Sequence, residues 1–546
     1  MTASSKTCQH YILVEQAYLR GMRKMSKGKK IVAGTLILAI AGVITRLLGF
    51  VYRVYMSNII GAEGMGLYQL IMPIYSLAWA LTCSGFTTTV SKLTSQEKAK
   101  GQLGNVRRIL KISVLATTGL GLVVGAIMFF AADVIAMRFF NDGRIGLSLR
   151  LLAIAVPFMS AGSCLRGYFL GLQEHIVPAI NQVIEQCVRM AVIFLIMGLF
   201  LPLGLEYAIA AATIGIVAEE IFSLLFVVGA YKLRQRKHGR ERSKALMSLG
   251  AAWGMVLAMA MPLTANRVTG SFLAAFENAL IPQRLQVYGM SASEAISSFG
   301  MMTGMAMPLI YFPTAFLVSL AISLVPAVSE AQAVNNVRQI AFTTNKAMLF
   351  AAVIGFGSAS LFVVFSYELG MVIYNQDISW MLISLGIMSP FMYMQVVLAG
   401  ILNGLGFQVF IFRNSLISSV INIAVIYFFV PVYGINAFVM GWLLSLVVIF
   451  TLEIRKLQDT FDLRFEFVQW FVKPLVSCLA AGLIVKLAAN RYILDALGPR
   501  SGLVVAICVF GVVYSFFIVA TGCLSRSELE MIKDALNLSR SNRPLA

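Results

Sequence analysis

The 546-residue chain contains little charge, since 12% of its residues are Asp, Glu, Lys or Arg while 59% are hydrophobic. A soluble protein of ordinary composition has about a quarter of its residues charged, so a water-soluble fold of this size is excluded. The mean hydropathy of +0.84 also excludes a disordered chain, a collagen-like repeat and a disulfide-built scaffold. The composition predicts an all-α polytopic membrane protein.

Groups that carry common chemistries are scarce as well. The three histidines, His10, His175 and His238, are scattered, and no Cys/His/Asp/Glu cluster has metal-ligand spacing, so we expect no metal or other cofactor. The seven cysteines lie mostly in apolar runs and predict buried unpaired thiols. No Gly-rich phosphate loop ending in Lys is present, so ATP is not expected to drive the protein directly, and we do not expect an enzyme.

Long apolar windows are abundant. A membrane-crossing helix needs about 20 apolar residues, and the sequence predicts about fourteen of them. The seventh and eighth are long and contain Pro262, Pro308 and Pro313, which favour tilting or breaking. The predicted spans are 31–52, 66–90, 109–132, 147–172, 176–200, 207–230, 248–281, 296–327, 347–367, 378–403, 407–430, 435–454, 470–488 and 502–522.

The formal net charge of +19 could indicate a nucleic-acid partner, but its distribution indicates membrane topology instead. The leader, the connections after even-numbered spans and the tail contain 28 Lys and Arg, whereas the connections after odd-numbered spans contain 6. Because Lys and Arg are retained on the cytoplasmic side, we predict a cell-membrane protein with both termini in the cytoplasm and no nucleic-acid partner.

The densest basic cluster divides the chain into two halves. The expected order is a cytoplasmic leader (1–30), a first six-helix lobe (31–230), a basic cytoplasmic linker (231–247), a second six-helix lobe (248–454), a cytoplasmic loop (455–469), two further helices (470–522) and a cytoplasmic tail (523–546).

The halves repeat each other. Asn181 recurs 233 residues later as Asn414, and Arg46-x-x-Gly49 recurs as Arg267-x-x-Gly270. At the same separation of 233, Pro157-Phe-Met and Leu165-x-Gly167-x-x-x-Gly171-Leu172 recur as Pro390-Phe-Met and Leu398-x-Gly400-x-x-x-Gly404-Leu405. Two pseudo-symmetric lobes that enter the membrane in the same sense are typical of transporters. The alternative is a duplication that only packs two bundles together.

Arginines inside predicted spans are the main functional candidates. An arginine near the centre of a span costs about 2.5–3.5 kcal/mol on insertion scales and usually faces water, a partner or a ligand. Arg46 and Arg53 are seven residues apart, so they share one helix face about 10 Å apart along the axis. Arg267 is the repeat equivalent of Arg46, so pseudo-symmetry predicts that both lie at a water-filled cleft between the lobes. Glu277 and Arg284, again seven residues apart, extend the second face, although Pro282 interrupts its helical phase.

Guanidinium groups present paired donors to phosphate and carboxylate. We therefore predict that these four arginines bind the phosphate of an anionic headgroup. The alternative is a structural role in which they pair with Glu63, Glu277 or backbone carbonyls.

Two adjacent acids lie deep in the sixth span. Glu219 and Glu220 are candidates for coupling to a cation, Na⁺ or H⁺, with the membrane potential as another driving force, or for pairing with Arg166 or Arg189. Glu185 precedes Arg189 by four residues, which predicts a pair within one helix.

Several motifs resemble a known family: Thr45-Arg46-Leu-Leu-Gly-Phe50, Arg53, Ile60-Gly-Ala-Glu63-Gly-Met-Gly66-Leu-Tyr68-Gln, Pro73-Ile-Tyr75, Gly304-Met-Ala-Met-Pro308-Leu and Ser323-Leu-Val-Pro326-Ala-Val-Ser-Glu330-Ala. From about Lys29 onward the chain resembles the stage V sporulation protein B family. This is a polysaccharide-exporter branch of the MATE-like (MOP) superfamily, related to MurJ-type lipid II flippases.

The resemblance implies the MATE-like fold and a flippase for an undecaprenyl-pyrophosphate-linked cell-wall or polysaccharide precursor. It assigns Arg46 and Arg53, and less closely Arg267, to the cationic cavity that holds the headgroup, and residues 470–522 to a groove for the lipid tail. The chain departs from the MurJ pattern because span 66–90 has no arginine and Val54 follows Arg53 where an acid is expected. The pyrophosphate-linked glycan is therefore predicted without identifying it as lipid II.

Three functions remain to be compared. The leading one is a monomeric flippase that works by alternating access, with a lipid-linked glycan and membrane lipids as its partners. The second is a cation-coupled MATE-type multidrug exporter, which requires acids in the first span, where this chain has Arg46 and no Asp or Glu. The third is a membrane-embedded enzyme or scaffold that would depend on polar loop residues.

Overall fold

The computed structural model describes residues 27–237, 246–461, 465–488 and 497–523. Most of the predicted leader, the centre of the basic linker and nearly all of the predicted tail lie outside these residues. Within them, regular structure is helical throughout, and thirteen helices are long and apolar enough to cross a membrane. The protein is an all-α polytopic membrane protein, as the sequence predicts.

The chain forms two compact units, Met1–Gln283 and Arg284–Ala546. A π-helical turn, Ala80–Ser84, joins α1 to α2 in the first unit. The helices that begin in this unit are α1 (Lys27–Trp79), α2 (Gly85–Ala99), α3 (Leu103–Phe130), α4 (Ala132–Phe139), α5 (Gly146–Gly171), α6 (Ile176–Phe200), α7 (Leu205–Lys237) and α8 (Leu249–Tyr288).

Most of α8, which was predicted to open the second lobe, packs within the first unit. A Cβ on Gly85 of α2 would lie 2.4 Å from the carbonyl oxygen of Ala260, so only glycine permits this approach. Val256 of α8 is fully buried in the core of this unit, together with Val90 of α2 and Ile109 of α3. The contacts of α8 therefore place the boundary between the units near its end.

Two predicted spans, 31–52 and 66–90, are joined into one run. The continuous run from Ile37 to Ala99, 63 residues long, is one of the thirteen helices that are long and apolar enough to cross a membrane. Gly61 interrupts its helical geometry with φ 67° and ψ −170°, a conformation that glycine adopts without a steric penalty. The kink at Gly61 therefore separates two helical stretches where the sequence predicts two spans. Because these stretches form one continuous run, the structure has thirteen such helices in its described residues where the sequence predicts about fourteen.

The second unit contains more short helices. Its elements are α9 (Ala292–Gly300), α10 (Met307–Tyr311), α11 (Thr314–Ala333), α12 (Val337–Val364), α13 (Ser366–Tyr374), α14 (Ser379–Gly404), α15 (Gln408–Phe428), α16 (Val430–Tyr433), α17 (Ile435–Phe461), α18 (Lys473–Ala488) and α19 (Pro499–Ala520). The predicted eighth span is divided by a π-helical turn, Met301–Ala306, and ends its second segment before Pro313. The seventh, by contrast, runs unbroken through Pro262.

The repeated Gly-x-x-x-Gly motif brings two helices of the first unit into close contact. A Cβ on Gly167 would lie 2.5 Å from the carbonyl oxygen of Thr87, and one on Gly171 would lie 2.4 Å from that of Ser91. Such distances exclude any larger residue without a backbone shift. Small residues at this spacing let α5 pack directly on the backbone of α2.

The second unit uses the same motif in the same way. A Cβ on Gly400 would lie 2.7 Å from the carbonyl oxygen of Ala321, and one on Gly404 would lie 2.8 Å from that of Val325. Helix α14 thus packs on α11 as α5 packs on α2. The sequence repeat is a repeat of internal helix packing.

In the described part of the chain Cys83, Cys164, Cys187, Cys478 and Cys508 are free thiols, as predicted. Cys83, Cys164 and Cys478 are buried, whereas Cys187 and Cys508 are exposed, so the prediction of burial is wrong for these two. Both lie on helices long enough to span, where an outward-facing thiol contacts lipid rather than water.

Candidate functional site

The first two predicted arginines lie on the part of α1 before the kink. Arg46 is exposed and Arg53, two turns later, is partly buried. Neither forms an ion pair or a side-chain hydrogen bond within the described residues. Their guanidinium donors are therefore available to a ligand.

The two predicted arginines of α8 differ from each other. Arg267 is exposed and, like Arg46, makes no ion pair with the residues that the structure describes. Arg284 lies in the second unit with its guanidinium 3.7 Å from the centre of the Tyr427 ring, a cation–π contact with α15. The Nε of Arg284 is buried without a hydrogen-bond partner.

The acids proposed as alternative partners do not neutralise the first-span arginines. Glu63 accepts a hydrogen bond from Arg144 at 2.7 Å, and Arg144 also binds Asp142 at 2.7 Å. Glu63 is therefore the partner of an arginine at the start of the fourth span, not of Arg46 or Arg53. Glu277 is partly buried and has an interaction of its own.

A buried polar network occupies the core of the first unit. Arg166 of α5 donates to Glu185 of α6 at 2.9 Å and to the Ser223 hydroxyl of α7 at 2.9 Å. Asn181 donates to Glu185 at 2.7 Å, and Ser223 donates to the same carboxylate at 2.6 Å. Three helices are thus linked through one carboxylate, and low-dielectric surroundings strengthen these hydrogen bonds.

A second pair lies beside this network. Arg189 of α6 donates through Nε at 2.5 Å and through a terminal nitrogen to the two oxygens of Glu219 on α7. The predicted pair between Glu185 and Arg189 within α6 is therefore wrong. Each of the two residues has a partner on a neighbouring helix instead. Glu185 accepts from Arg166, and Arg189 forms a bidentate contact with Glu219.

Glu220 is the remaining acid. It is 7% exposed, accepts a hydrogen bond from the Tyr75 hydroxyl at 2.5 Å, and has a second oxygen that is buried without a partner among the residues that the structure describes. The network therefore contains three carboxylates, Glu185, Glu219 and Glu220, against two guanidinium groups. The imbalance leaves one carboxyl that can hold a proton or face a cation.

The second unit lacks the two arginines, Glu185 and Glu219 at the equivalent positions, although Glu453 stands where the first unit has Glu220. The separation of 233 places Ser418 where the first unit has Glu185, and Ser418 lies 2.6 Å from Ser445, oxygen to oxygen. Asn414, the equivalent of Asn181, is buried with both amide atoms unpartnered. Helix packing in this fold therefore does not require the charged network.

Sequence reasoning missed several members of these sites. Tyr75 and Ser223 have no charge to mark them, although each lies opposite an acid that was identified. Glu453 of α17 is 5% exposed and has one carboxyl oxygen without a partner among the described residues. Its position within a long apolar run was a signal that could have identified it.

The final two helices have an outward apolar face. Leu479, Leu483 and Leu487 of α18 are each more than 60% exposed, as expected for side chains that contact lipid. Lys473 donates to the carbonyl of Gly522, and Lys486 pairs with Glu368 at 3.0 Å, so both cations are satisfied within the unit.

The only histidine in the described residues lies in the turn between α5 and α6. Burial lowers the pKa of His175, so its ring is neutral near pH 7. No group of three or more His, Cys, Asp or Glu suited to a metal occurs in the described parts of the chain.

A family model described as "Polysaccharide biosynthesis protein" matches residues 31–332, more than half of the chain. Stage V sporulation protein B of Bacillus subtilis is 29% identical over 508 residues, which cover 91% of this chain and 97% of that protein. The lipid II flippase MurJ of the same organism is 31% identical over 197 residues, 34% of this chain and 36% of that one. The resemblance identified from the motifs is confirmed.

Solved structures agree on the fold. An inward closed structure of the lipid II flippase MurJ covers 89% of this chain and 99% of its own, with a TM-score of 0.64 and 14% identity. An inward-facing multidrug resistance MATE family transporter of the MOP superfamily covers 76% of this chain and 98% of its own, with a TM-score of 0.59 and 14% identity. The chain has the MATE-like fold.

Proposed function

Because the chain belongs to the polysaccharide biosynthesis protein family, we propose that it is a flippase for a lipid-linked precursor. The substrate in this proposal is an undecaprenyl-pyrophosphate-linked cell-wall or polysaccharide precursor, carried across the cytoplasmic membrane by alternating access and without a chemical change. The relative named lipid II flippase MurJ supports this activity.

One observation in the structure carries the proposal: the arginines of the spans divide into two groups. Arg144, Arg166 and Arg189 each pair with a carboxylate. Arg413 also lacks a carboxylate partner in the described residues but lies 5.1 Å from the centre of the Phe410 ring, whereas Arg46 and Arg267 are exposed and have no partner of either kind there. An unpaired arginine in a span is costly, so these two positions are explained best by a ligand that is itself an anion.

A pyrophosphate fits this requirement. Its charge would be strongly disfavoured in hydrocarbon, and guanidinium groups replace its hydration with paired hydrogen bonds. In the proposed cycle Arg46, Arg53 and Arg267 hold the headgroup in a wet cavity while the polyprenyl tail remains in lipid. Arg284 contributes its free Nε, and residues 470–522 guide the tail.

The proposal includes a driving force and a topology. Glu220 is the coupling acid because its carboxyl is the one left without a guanidinium partner. H⁺ is the coupling ion, with both termini in the cytoplasm as the distribution of basic residues predicts. The working unit is a monomer.

The test is reconstitution in liposomes with lipid II and with other polyprenyl-pyrophosphate-linked glycans, scoring how much lipid becomes accessible in the opposite leaflet. Arg46→Ala and Arg267→Ala are expected to abolish translocation at unchanged protein level. Arg150→Ala is the matched control, because the Arg150 side chain is 44% exposed but pairs with Asp133. Wild-type transport by both test variants would remove the basis of the site.

The same liposome preparation distinguishes a flippase from a multidrug exporter. Efflux of organic cations together with no movement of any lipid-linked glycan would favour the exporter. Against it, the described part of α1 before Gly61 contains arginines and no acid.

A further inference from the structure

Resting on the proposed function, we propose that a groove between α2 and α5 binds the sugar part of the lipid-linked substrate. The groove lies within the first unit and has a volume of about 490 Å³. It is lined chiefly by Thr88, Ser91, Lys92, Ser95, Gln96 and Gln173. We call it the hydroxyl groove.

The lining follows from helical spacing on α2. Positions 88, 91, 92, 95 and 96 share one face of the helix, and four of them are exposed while Ser91 is partly buried. The Thr88 hydroxyl donates to the Ser84 carbonyl at 3.3 Å and keeps its oxygen free to accept. Ser91, Lys92 and Ser95 make no side-chain hydrogen bond within the described residues. The groove therefore offers both donors and acceptors that are not engaged.

The second unit indicates that these polar groups are not needed for packing. Gly171 meets the Ser91 backbone as Gly404 meets that of Val325, which makes Ser91 and Val325 equivalent. By the same register Ile322 corresponds to Thr88 and Pro326 to Lys92. At these three positions the same close helix contact is thus made with apolar side chains, whereas Ser329, the equivalent of Ser95, donates to the Gly404 carbonyl at 2.6 Å. The Thr88 and Ser91 hydroxyls and the Lys92 ammonium group are therefore additional to packing.

The chemistry of the lining favours a sugar over a phosphate. Hydroxyl and amide side chains donate and accept at once, as the hydroxyls of a glycan do. A phosphate only accepts hydrogen bonds when ionised and is bound best by clustered guanidinium groups. The groove has a single cation, Lys92, which also suits an acidic substituent on a sugar. Its volume lies within the range of about 300–1,000 Å³ typical of small-ligand sites.

The experiment compares two probes on the purified full chain in nanodiscs, lipid II and sugar-free undecaprenyl pyrophosphate. The test variants are Ser91→Val, which introduces the side chain of the equivalent position, Ser95→Ala and the double variant. The control is Thr451→Val on α17, whose hydroxyl bonds only to its own helix at Val447. Circular dichroism and thermal unfolding check that the variants fold.

We expect the wild type to bind lipid II more tightly than the sugar-free lipid. Each groove variant should weaken lipid II binding roughly twofold to tenfold, the effect of one lost hydrogen bond, and leave binding of the sugar-free lipid unchanged. Equal wild-type affinity for the two probes, or groove variants with wild-type preference, would overturn the proposal.

The same measurements distinguish failure of the proposed function from failure of the groove proposal alone. If the chain is not a pyrophosphate-lipid flippase, neither probe binds or crosses, and Arg46→Ala changes nothing. If only the groove is wrong, Arg46→Ala weakens both probes while Ser91→Val and Ser95→Ala affect neither.

Discussion

Arg189 of α6 holds both carboxylate oxygens of Glu219 on α7, and Glu219 is only 2% exposed. A buried charge of this kind is tolerated only when it is paired. The contact fixes the rotation of α6 and α7 relative to each other, because a two-pronged contact fails when either helix turns. The intact pair adds little to the free energy of unfolding, whereas removing one partner is strongly destabilising.

Removing one partner is expected to destabilise the first unit strongly. Arg189→Leu leaves the Glu219 carboxylate buried and unpaired, which costs about 3–5 kcal/mol. Thermal unfolding in detergent measures the loss as a lower melting temperature. The double variant Arg189→Leu/Glu219→Leu should recover much of it, because no charge then remains uncompensated.

The control for this comparison is Arg150→Ala. Its pair with Asp133 is exposed on both sides, 44% and 64%, so its loss is expected to cost about 0–1 kcal/mol. Equal destabilisation by Arg150→Ala and Arg189→Leu would contradict the importance given to the buried pair.

The close approach of α5 to α2 makes a second prediction. Gly171→Ala places a methyl group 2.4 Å from the Ser91 carbonyl oxygen, so the helices must move apart. We expect a loss of about 1–3 kcal/mol, the usual cost of overpacking. Gly404→Ala should behave alike in the second unit, where the corresponding distance is 2.8 Å.

Gly198→Ala is the matched control, since an added Cβ at Gly198 of α6 meets nothing within 4 Å. Alanine favours a helix by up to about 1 kcal/mol over glycine, so this variant should be neutral or more stable in the same unfolding assay. A destabilised Gly198→Ala, or a neutral Gly171→Ala, would show that helix approach does not decide the outcome.

The sequence predicts the spans, but it offers the pairing of Glu219 with Arg189 only as an alternative to cation coupling, for a physical reason. Apolar runs and a fixed separation between repeated motifs can be read along the chain itself, so the spans and the recurrence of the Gly-x-x-x-Gly motif could be identified, whereas the helix that each motif contacts could not. Arg189 meets Glu219 only because α6 and α7 are rotated to face each other. The nearer acid in sequence, Glu185, faces Arg166 of α5 instead.

The kink and the boundary between units are similar cases. Gly61 is one glycine among 44, and nothing in its neighbours distinguishes the residue that takes a positive φ. The end of the first unit at Gln283 depends on what α8 packs against, which hydropathy does not encode. The arginines of the candidate site could be found from the sequence because charge is rare in spans, whereas Tyr75 could not.

Glu220 is expected to control the response of transport to a pH gradient. Glu220→Gln keeps the size of the side chain but removes the titrating group, and it also removes the excess negative charge of the network. Flipping by the wild type in liposomes should change with an imposed pH gradient, whereas flipping by Glu220→Gln should not.

Tyr75→Phe tests the role of Glu220 by removing its hydrogen-bond donor. It removes the hydrogen bond at 2.5 Å but leaves the carboxyl in place, so the response to pH should be shifted rather than lost. A wild-type protein indifferent to pH gradients but driven by Na⁺ or by membrane potential would exclude Glu220 as the proton carrier.

The ring of Tyr427 is expected to stabilise the position of Arg284. The guanidinium lies 3.7 Å from the ring centre, and a cation–π contact is worth about 0.5–2 kcal/mol depending on how far it is removed from water. Tyr427→Leu should therefore lower the stability of the second unit by an amount in this range, measured by thermal unfolding. Tyr427→Phe keeps the aromatic face and should remain close to the wild type. If both variants lose stability equally, the hydroxyl rather than the ring is responsible, and Arg284 is held by some other contact.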